Sequence, residues 1–336
     1  MSEVTGAVAR ARLALPARLV EGGRAYLWVA AAIAVVPAIS ADPYFIHILI
    51  LSMMHAALVS SWNLLTGYAG LFSFGHQAFF GLGAYVSALM AMRLGLSPWL
   101  TLFVGGVVAA GAGLLIALPC LRLRAPPYIA IATLGFAEIC RFVATNLVGL
   151  TRGELGLWGI PEMTALTVPG VGTLSFTGQR VPYFYLMLGL WVAIMALLYR
   201  LIRSPFGLAL KSVRDSQDAA ESLGVDITRT KVAAFVISAF LAGLVGSFYA
   251  HYVLILTPSA VLSVGVMVEI VAMTLVGGLG TFLGPTLGAF TLTLMLEYLR
   301  ALGEYRLLIY GALLIVIILF MPEGAVQRLL PRRARF

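Results

Sequence analysis

The chain has 336 residues, 61% of them hydrophobic and only 11% charged, with a formal net charge of +8 and a mean hydropathy of +1.00. Soluble domains carry roughly 25% charged residues, so the composition excludes an ordinary soluble globule and makes lipid the solvent for most of the chain. The basic excess lies in loops and tails without aromatic interleaving, which excludes a nucleic-acid binder, and two cysteines, Cys120 and Cys140, give neither a disulfide framework nor a zinc pattern.

A crossing helix needs ~20 apolar residues. The stretches Pro43 to Met92 and Val232 to Val268 contain no Asp, Glu, Lys or Arg, and each has room for two crossings. Gly, Pro and polar clusters divide the chain into about ten predicted spans, over 26–41, 44–65, 69–92, 98–119, 128–148, 182–199, 231–256, 261–278, 285–300 and 306–321. The predicted fold is an all-α integral membrane protein. It has a cytoplasmic tail over 1–25, a transmembrane domain over 26–321, an external loop over 149–181, a cytoplasmic segment over 200–231 between spans six and seven, and a basic cytoplasmic tail over 322–336. The basic residues before span one, followed by a short apolar run and Ala38-Ile39-Ser40, also fit a cleavable signal peptide; a retained helix is the expectation.

With the N-terminus placed in the cytoplasm, sixteen Lys and Arg fall inside, five fall outside and Arg141 alone sits at membrane depth, as the positive-inside rule requires. Spans two to five then begin outside and spans seven to ten inside, which predicts two halves of inverted topology, with the Gly-rich segments 70–85 and 277–290 in comparable places.

Gly280, Gly284 and Gly288 form GxxxGxxxG, predicted to put three small residues on one helix face as a packing seam. Pro285 is expected to interrupt that helix, and a broken helix whose freed backbone lines a path is the alternative. Ionisable side chains at membrane depth cost roughly 2.5–3.5 kcal/mol on insertion scales. Glu138 and Arg141 are spaced to neutralise each other on one helical face, and Glu297 and Arg300 repeat the spacing near a helix end. Glu269 has no basic residue within one turn. The histidines at 47, 55, 76 and 251 lack metal-ligand spacing, so structural roles and no metal site are expected. The candidate translocation-path residues are Asn63, Ser73, His76, Gln77, Glu138, Glu269 and Thr281.

The most polar part of the chain is SPFGLALKSVRDSQDAAESLGVDITRTK, over 204–231. Pro205 can start a helix and Gly224 can stop one, which predicts two short helices lying on the cytoplasmic face. Asp218-Ala219-Ala220-x-x-x-Gly224 resembles the EAA-x-x-x-G coupling loop of ABC importer permeases, with Asp in place of Glu. The blocks at 62–85, 127–139, 207–247 and 276–289 extend the likeness, so that nearly the whole chain resembles the LivM-type permeases of branched-chain amino acid ABC transporters. The wording KSVRDSQDAAESLG is closer to LivM-type than to LivH-type permeases.

That resemblance implies import of leucine, isoleucine or valine across a bacterial inner membrane. It assigns ATPase coupling to Gly207, Lys211, Arg214, Asp218, Ala219, Ala220, Glu221 and Gly224. It also implies a LivH-type permease partner, two ABC ATPase subunits that bind ATP and Mg, and a periplasmic substrate-binding protein, with no cofactor in this chain. Two departures bear on substrate identity: Thr151-Arg152-Gly153 stands where a Gly pair is frequent, and Met267 where a small polar residue is common. Independently, the chain has no GxxxxGK[ST] phosphate loop, and its two lysines, Lys211 and Lys231, do not follow Gly; a transport subunit without its own ATPase site is expected. Urea or short-chain amides are the alternative substrates. An ion-coupled secondary transporter using Glu138 and Glu269 is a second class, and a membrane enzyme would need converging reactive groups that are scattered here.

Overall fold

Proline opens five of the described helices, at Pro43, Pro98, Pro126, Pro205 and Pro258, because at the first helical turn its missing N–H costs nothing and its fixed φ is already helical. The computed structural model describes residues 26, 29–38, 42–120, 126–168 and 172–302, with isolated positions as far as 315. The predicted tails 1–25 and 322–336, most of predicted span ten and the loop arginines Arg122 and Arg124 lie outside the described residues.

Helix α1 covers Val29–Ala38. α2 (Pro43–Asn63) runs into a π-turn at Leu64–Tyr68, and α3 (His76–Leu94), α4 (Pro98–Cys120), α5 (Pro126–Asn146) and α6 (Val148–Thr151) follow. After the extramembrane stretch come α7 (Arg180–Arg203), α8 (Pro205–Asp215), α9 (Gln217–Ser222), α10 (Ile227–Val253), α11 (Pro258–Val261), α12 (Val264–Gly277) and α13 (Gly284–Tyr298). Four short strands complete the description: β1 (Leu157–Trp158) pairs antiparallel with β4 (Ile255–Leu256), and β2 (Leu166–Val168) with β3 (Gly172–Leu174). These ribbons modify the all-α expectation; outside the helices the backbone groups still need partners, and short antiparallel pairing supplies them.

Among the described residues, six helices are long and apolar enough to cross a membrane: Pro43–Tyr68, Pro98–Cys120, Pro127–Asn146, Arg180–Arg203, Ile227–Val253 and Pro258–Gly277. Three other predicted spans are described as shorter helices. Span 69–92 contracts to α3 because residues 69–75 are non-helical around Gly70 and Gly75. Span 285–300 becomes the 15-residue α13 followed by a 3-10 turn at Leu299–Leu302, and span one is described as the 10-residue α1.

The centre of the bundle is α2, buried over 78% of its most apolar window, with Trp62, Met53, Leu58 and Leu64 shut from solvent. At the other extreme α5 is buried over only 22%, and Ile131, Ile139 and Phe142 project outward. α4 likewise turns Phe103, Val107, Leu114, Leu115 and Leu118 outward, a helical stripe that only hydrocarbon or another membrane helix tolerates. Lipid gives helices no hydrophobic reason to meet, so they associate by close packing of small residues. α3, α4 and α10 meet this way. A Cβ on Gly83 would strike the Gly243 carbonyl, a Cβ on Gly105 would strike the Ser247 hydroxyl, and a Cβ on Gly243 would strike Ala109. Ser247 donates to the Gly83 carbonyl at 3.0 Å across the same seam.

At the far end of α10, His251 joins four segments. Its Nδ1 donates to the Pro161 carbonyl at 2.8 Å, which leaves Nε2 to face the hydroxyls of Ser87 (2.9 Å) and Thr101 (3.2 Å). Tyr183 donates to the His251 carbonyl at 2.9 Å and accepts from the Met163 N–H. The histidine is structural, as expected. His55 likewise pairs with Thr293 and His47 with Tyr252, and no group of three or more metal-ligating residues occurs among the described residues.

Gly83→Val should therefore prevent the α3–α4–α10 approach, at a cost of at least about 1–3 kcal/mol for overpacking, and lower the melting temperature of the detergent-solubilised protein. Gly111→Ala and Gly189→Ala, where nothing lies within 4 Å of the added carbon, should leave it unchanged.

Candidate functional site

The 204–226 segment folds as two helices, the first packed on the bundle through its buried face. Pro205 occupies the first turn of α8, and Gly207 is pressed so closely on the Ile202 carbonyl that the α7–α8 corner admits no side chain there. Gly207, Leu210 and Val213 form the buried face of α8, three apart, and leave Leu208, Lys211 and Arg214 facing outward or sideways. Ser216 then caps α9, its hydroxyl accepting from the Ala219 N–H at 3.3 Å. α9 ends in a Schellman motif: the Gly224 N–H donates to Glu221 at 2.9 Å and the Val225 N–H to Ala220 at 3.0 Å. Gly224 has φ +82°, a conformation that costs a side chain dearly, so it is the C′ stop anticipated at this position.

Only Ala220 of α9 is buried, at 2% exposure; Asp218, Ala219, Glu221, Ser222 and Gly224 face outward, and Leu223 is 82% exposed. The element thus has a face fixed to its own chain and a face presented elsewhere. Lys231, at the start of α10, donates to the Gln217 side chain at 3.0 Å and pins α9 from below. Leu223 was not singled out in the sequence, although an apolar residue at the end of so polar a helix is the signal that finds it.

Above this element two helix breaks face each other. The first follows the π-turn of α2 and runs through residues 69–75 to α3; the second, residues 278–283, separates α12 from α13. Asn63, at the end of α2, holds the second: its Nδ2 donates to the Thr281 carbonyl at 2.9 Å, and its Oδ1 accepts from the Gly280 N–H at 2.8 Å. Two predicted path residues, Asn63 and Thr281, are thereby brought together. The Thr281 hydroxyl is turned to the Gly278 carbonyl at 2.7 Å.

The predicted glycine seam is corrected here. Gly280 lies in the break with φ +74°, Gly284 opens α13, and only Gly288 is inside that helix, so the three do not share one helix face. Pro285 begins α13 rather than interrupting a longer helix, since its ring suits the first turn and no interior turn. Close packing survives in another form: Gly288 abuts the Met273 carbonyl and Gly277, and Gly284 abuts the Gly278 carbonyl.

The other candidates are dispersed. Ser73, His76 and Gln77 are fully buried at the start of α3. Ser61 donates to Leu58, so His76 Nε2 donates to Ser61 at 2.8 Å and its Nδ1 carries a lone pair without a protein partner; the Gln77 amide also has none. Trp62 donates to the Ser73 carbonyl at 2.7 Å, and the Phe74 N–H donates to Thr133 on α5 at 2.9 Å, fixing the first break on both sides. Glu138 and Arg141 form their expected pair at 2.7 Å on α5, 35% and 40% exposed. Arg300 pairs with Glu297 at 2.9 Å, and Glu269 is half-buried on α12.

A set of apolar spans with backbone breaks and a polar element between two of them is the architecture of a multi-pass membrane protein. The family described as the permease component of branched-chain amino acid transport systems matches residues 44–318, and the chain belongs to it. It is 32% identical over 303 residues to the high-affinity branched-chain amino acid transport permease LivM of Salmonella typhimurium, covering 85% of this chain and 71% of that protein. Similarity extends to the LivH permease of the corresponding system in Escherichia coli, 26% over 294 residues covering 83% and 92%, and to the nucleoside ABC transporter permease NupC of Lactococcus lactis, 27% over 193 residues covering 54% and 59%. No solved structure matches.

Space around Gly224 is open and only its φ is demanding. Gly224→Asn should be tolerated, whereas Gly224→Val should cost about 1–2 kcal/mol and raise amide hydrogen exchange across residues 217–225; equal exchange in both variants would remove the left-handed stop as the element's determinant.

Proposed function

We propose that this chain is a transmembrane permease subunit of an ATP-driven importer for branched-chain amino acids. It acts in a bacterial inner membrane beside a LivH-type permease, two ABC ATPases and a periplasmic binding protein. The observation that carries the reading is the α8–α9 element, which joins a DAA-x-x-x-G motif to an outward face of Asp218, Ala219, Glu221 and Leu223. Sequence likeness to LivM and LivH permeases supports both the substrate class and the pairing with a second permease. The charge asymmetry supports a cytoplasmic location for both termini and for α8–α9. Helix, glycine-containing break and helix recur as α2, 69–75, α3 and as α12, 278–283, α13, and we read these units as the cores of two halves of opposite topology.

ATP supplies free energy only if closure of the ATPases contacts two permease states differently. α9 is suited to that role because its inner face is fixed by Ala220 and the Gln217–Lys231 bond while its outer face stays available to a partner. A nucleoside ABC transporter permease is also similar to this chain, which supports the binding protein as the selector among solutes.

Purification of the tagged chain from its native membrane should recover a second permease, two ATPases and a binding protein, with ATP hydrolysis stimulated by leucine, isoleucine or valine. Stimulation by urea, an amide or a nucleoside instead would keep the importer and change the substrate. A solitary chain whose uptake collapses with an uncoupler would replace the reading with secondary transport. Ala220→Asp should abolish stimulated uptake by about a hundredfold, since a carboxylate cannot be buried there unpaired, while leaving the chain in the membrane.

A further inference from the structure

A coupling element attached to the membrane domain only through its own ends would move α7 and α10 and leave the breaks untouched. Arg214 gives it a third attachment. From the last turn of α8 its Nη1 donates to the Gly67 carbonyl at 3.1 Å, across 147 residues of sequence, while Nε is held by Asp215 at 3.0 Å. Gly67 belongs to the π-turn that ends α2, where carbonyls have run out of helical donors. A cation at the carbonyl end of a helix is also favoured by the helix dipole.

The surroundings are shaped to admit this side chain. Gly70 lies against the stem of Arg214, where a Cβ would come within 2.7 Å of its Cγ. A Cβ on Gly67 would fall 2.6 Å from the Gly280 nitrogen, and one on Gly280 would fall 3.6 Å from Arg214 Nη1. Gly67 in the π-turn, Gly70 just after it and Gly280 in the 278–283 break thus converge on one arginine side chain, and Asn63 at the end of α2 holds that same break.

We propose that Arg214 is a positioning residue that couples the α8–α9 element to the break between α12 and α13, through the Gly67 carbonyl and the Asn63 clamp. The inference rests on the importer reading. A guanidinium suits the task because it is planar, permanently charged and able to hold Asp215 and Gly67 at once from a fixed fork. Displacement of α8 then shifts the end of α2, and Asn63 passes that shift to Gly280 and Thr281.

The test uses the importer reconstituted with its ATPases, second permease and binding protein, and reads uptake per ATP hydrolysed, basal ATP hydrolysis and complex melting. Recovery of that complex from the unsubstituted chain tests the importer reading first and separately. Arg214→Gln should lower uptake per ATP about tenfold, the range of an ordinary coupling free energy, with basal hydrolysis and melting unchanged. Arg214→Lys, which keeps the charge and loses the fork, should fall between the two, and Asn63→Ala should act in the same direction. Arg229→Gln, at a side chain 89% exposed on α10, should behave as the unsubstituted protein. Unchanged uptake per ATP in Arg214→Gln would overturn the proposal. So would loss of assembly in that variant, or a parallel fall of uptake and hydrolysis, since either makes Arg214 a helix cap and nothing more; where Asn63→Ala fails to assemble, the Arg214 series decides.

Discussion

Close approach of bare backbone governs this structure. In hydrocarbon no solvent pushes helices together, so α3, α4 and α10 join where Gly83, Gly105 and Gly243 remove the side chains between them. The Ser247 hydroxyl bridges the gap to the Gly83 carbonyl and takes a polar group out of lipid at the same contact. Where glycines are instead placed against irregular backbone, at Gly67, Gly70 and Gly280, the same closeness brings the two breaks and α8 into one node. Rigid seam and articulated node are thus made from one residue type, distinguished by whether the surrounding chain is helical.

The glycine seam also reaches the α8–α9 element. α10 is both a member of the glycine seam and the anchor of α9 through Lys231, and at its other end it carries His251 with its fully occupied hydrogen bonds. The seam is helical throughout, while residues 69–75 and 278–283 lack a continuous helical ladder.

Much of this was legible in the sequence. Apolar stretches located six of the predicted spans among the described residues, Pro205 and Gly224 marked the ends of the α8–α9 element, and the spacing of Glu138 and Arg141 named an ion pair that the structure contains. Three features were read less well. Span counting by apolarity alone treated 69–92 as one helix, although a positive φ at Gly70 leaves the residues before α3 non-helical. The GxxxGxxxG spacing suggested one helix face, but periodicity carries no knowledge of the left-handed turn at Gly280. Gly67 and Thr133 gave no pattern at all: each matters through a backbone group or hydroxyl meeting a segment far away in sequence, and such partners emerge only when the chain is folded.

The Asn63 clamp touches only main-chain atoms, the Gly280 N–H and the Thr281 carbonyl. Its recognition is therefore indifferent to the identities of the side chains at 281–283, provided that Gly280 keeps its left-handed turn. Substitutions within that short loop leave the joint beneath it intact. The sequence of the loop and the geometry of the joint can vary independently because one amide reads the backbone alone.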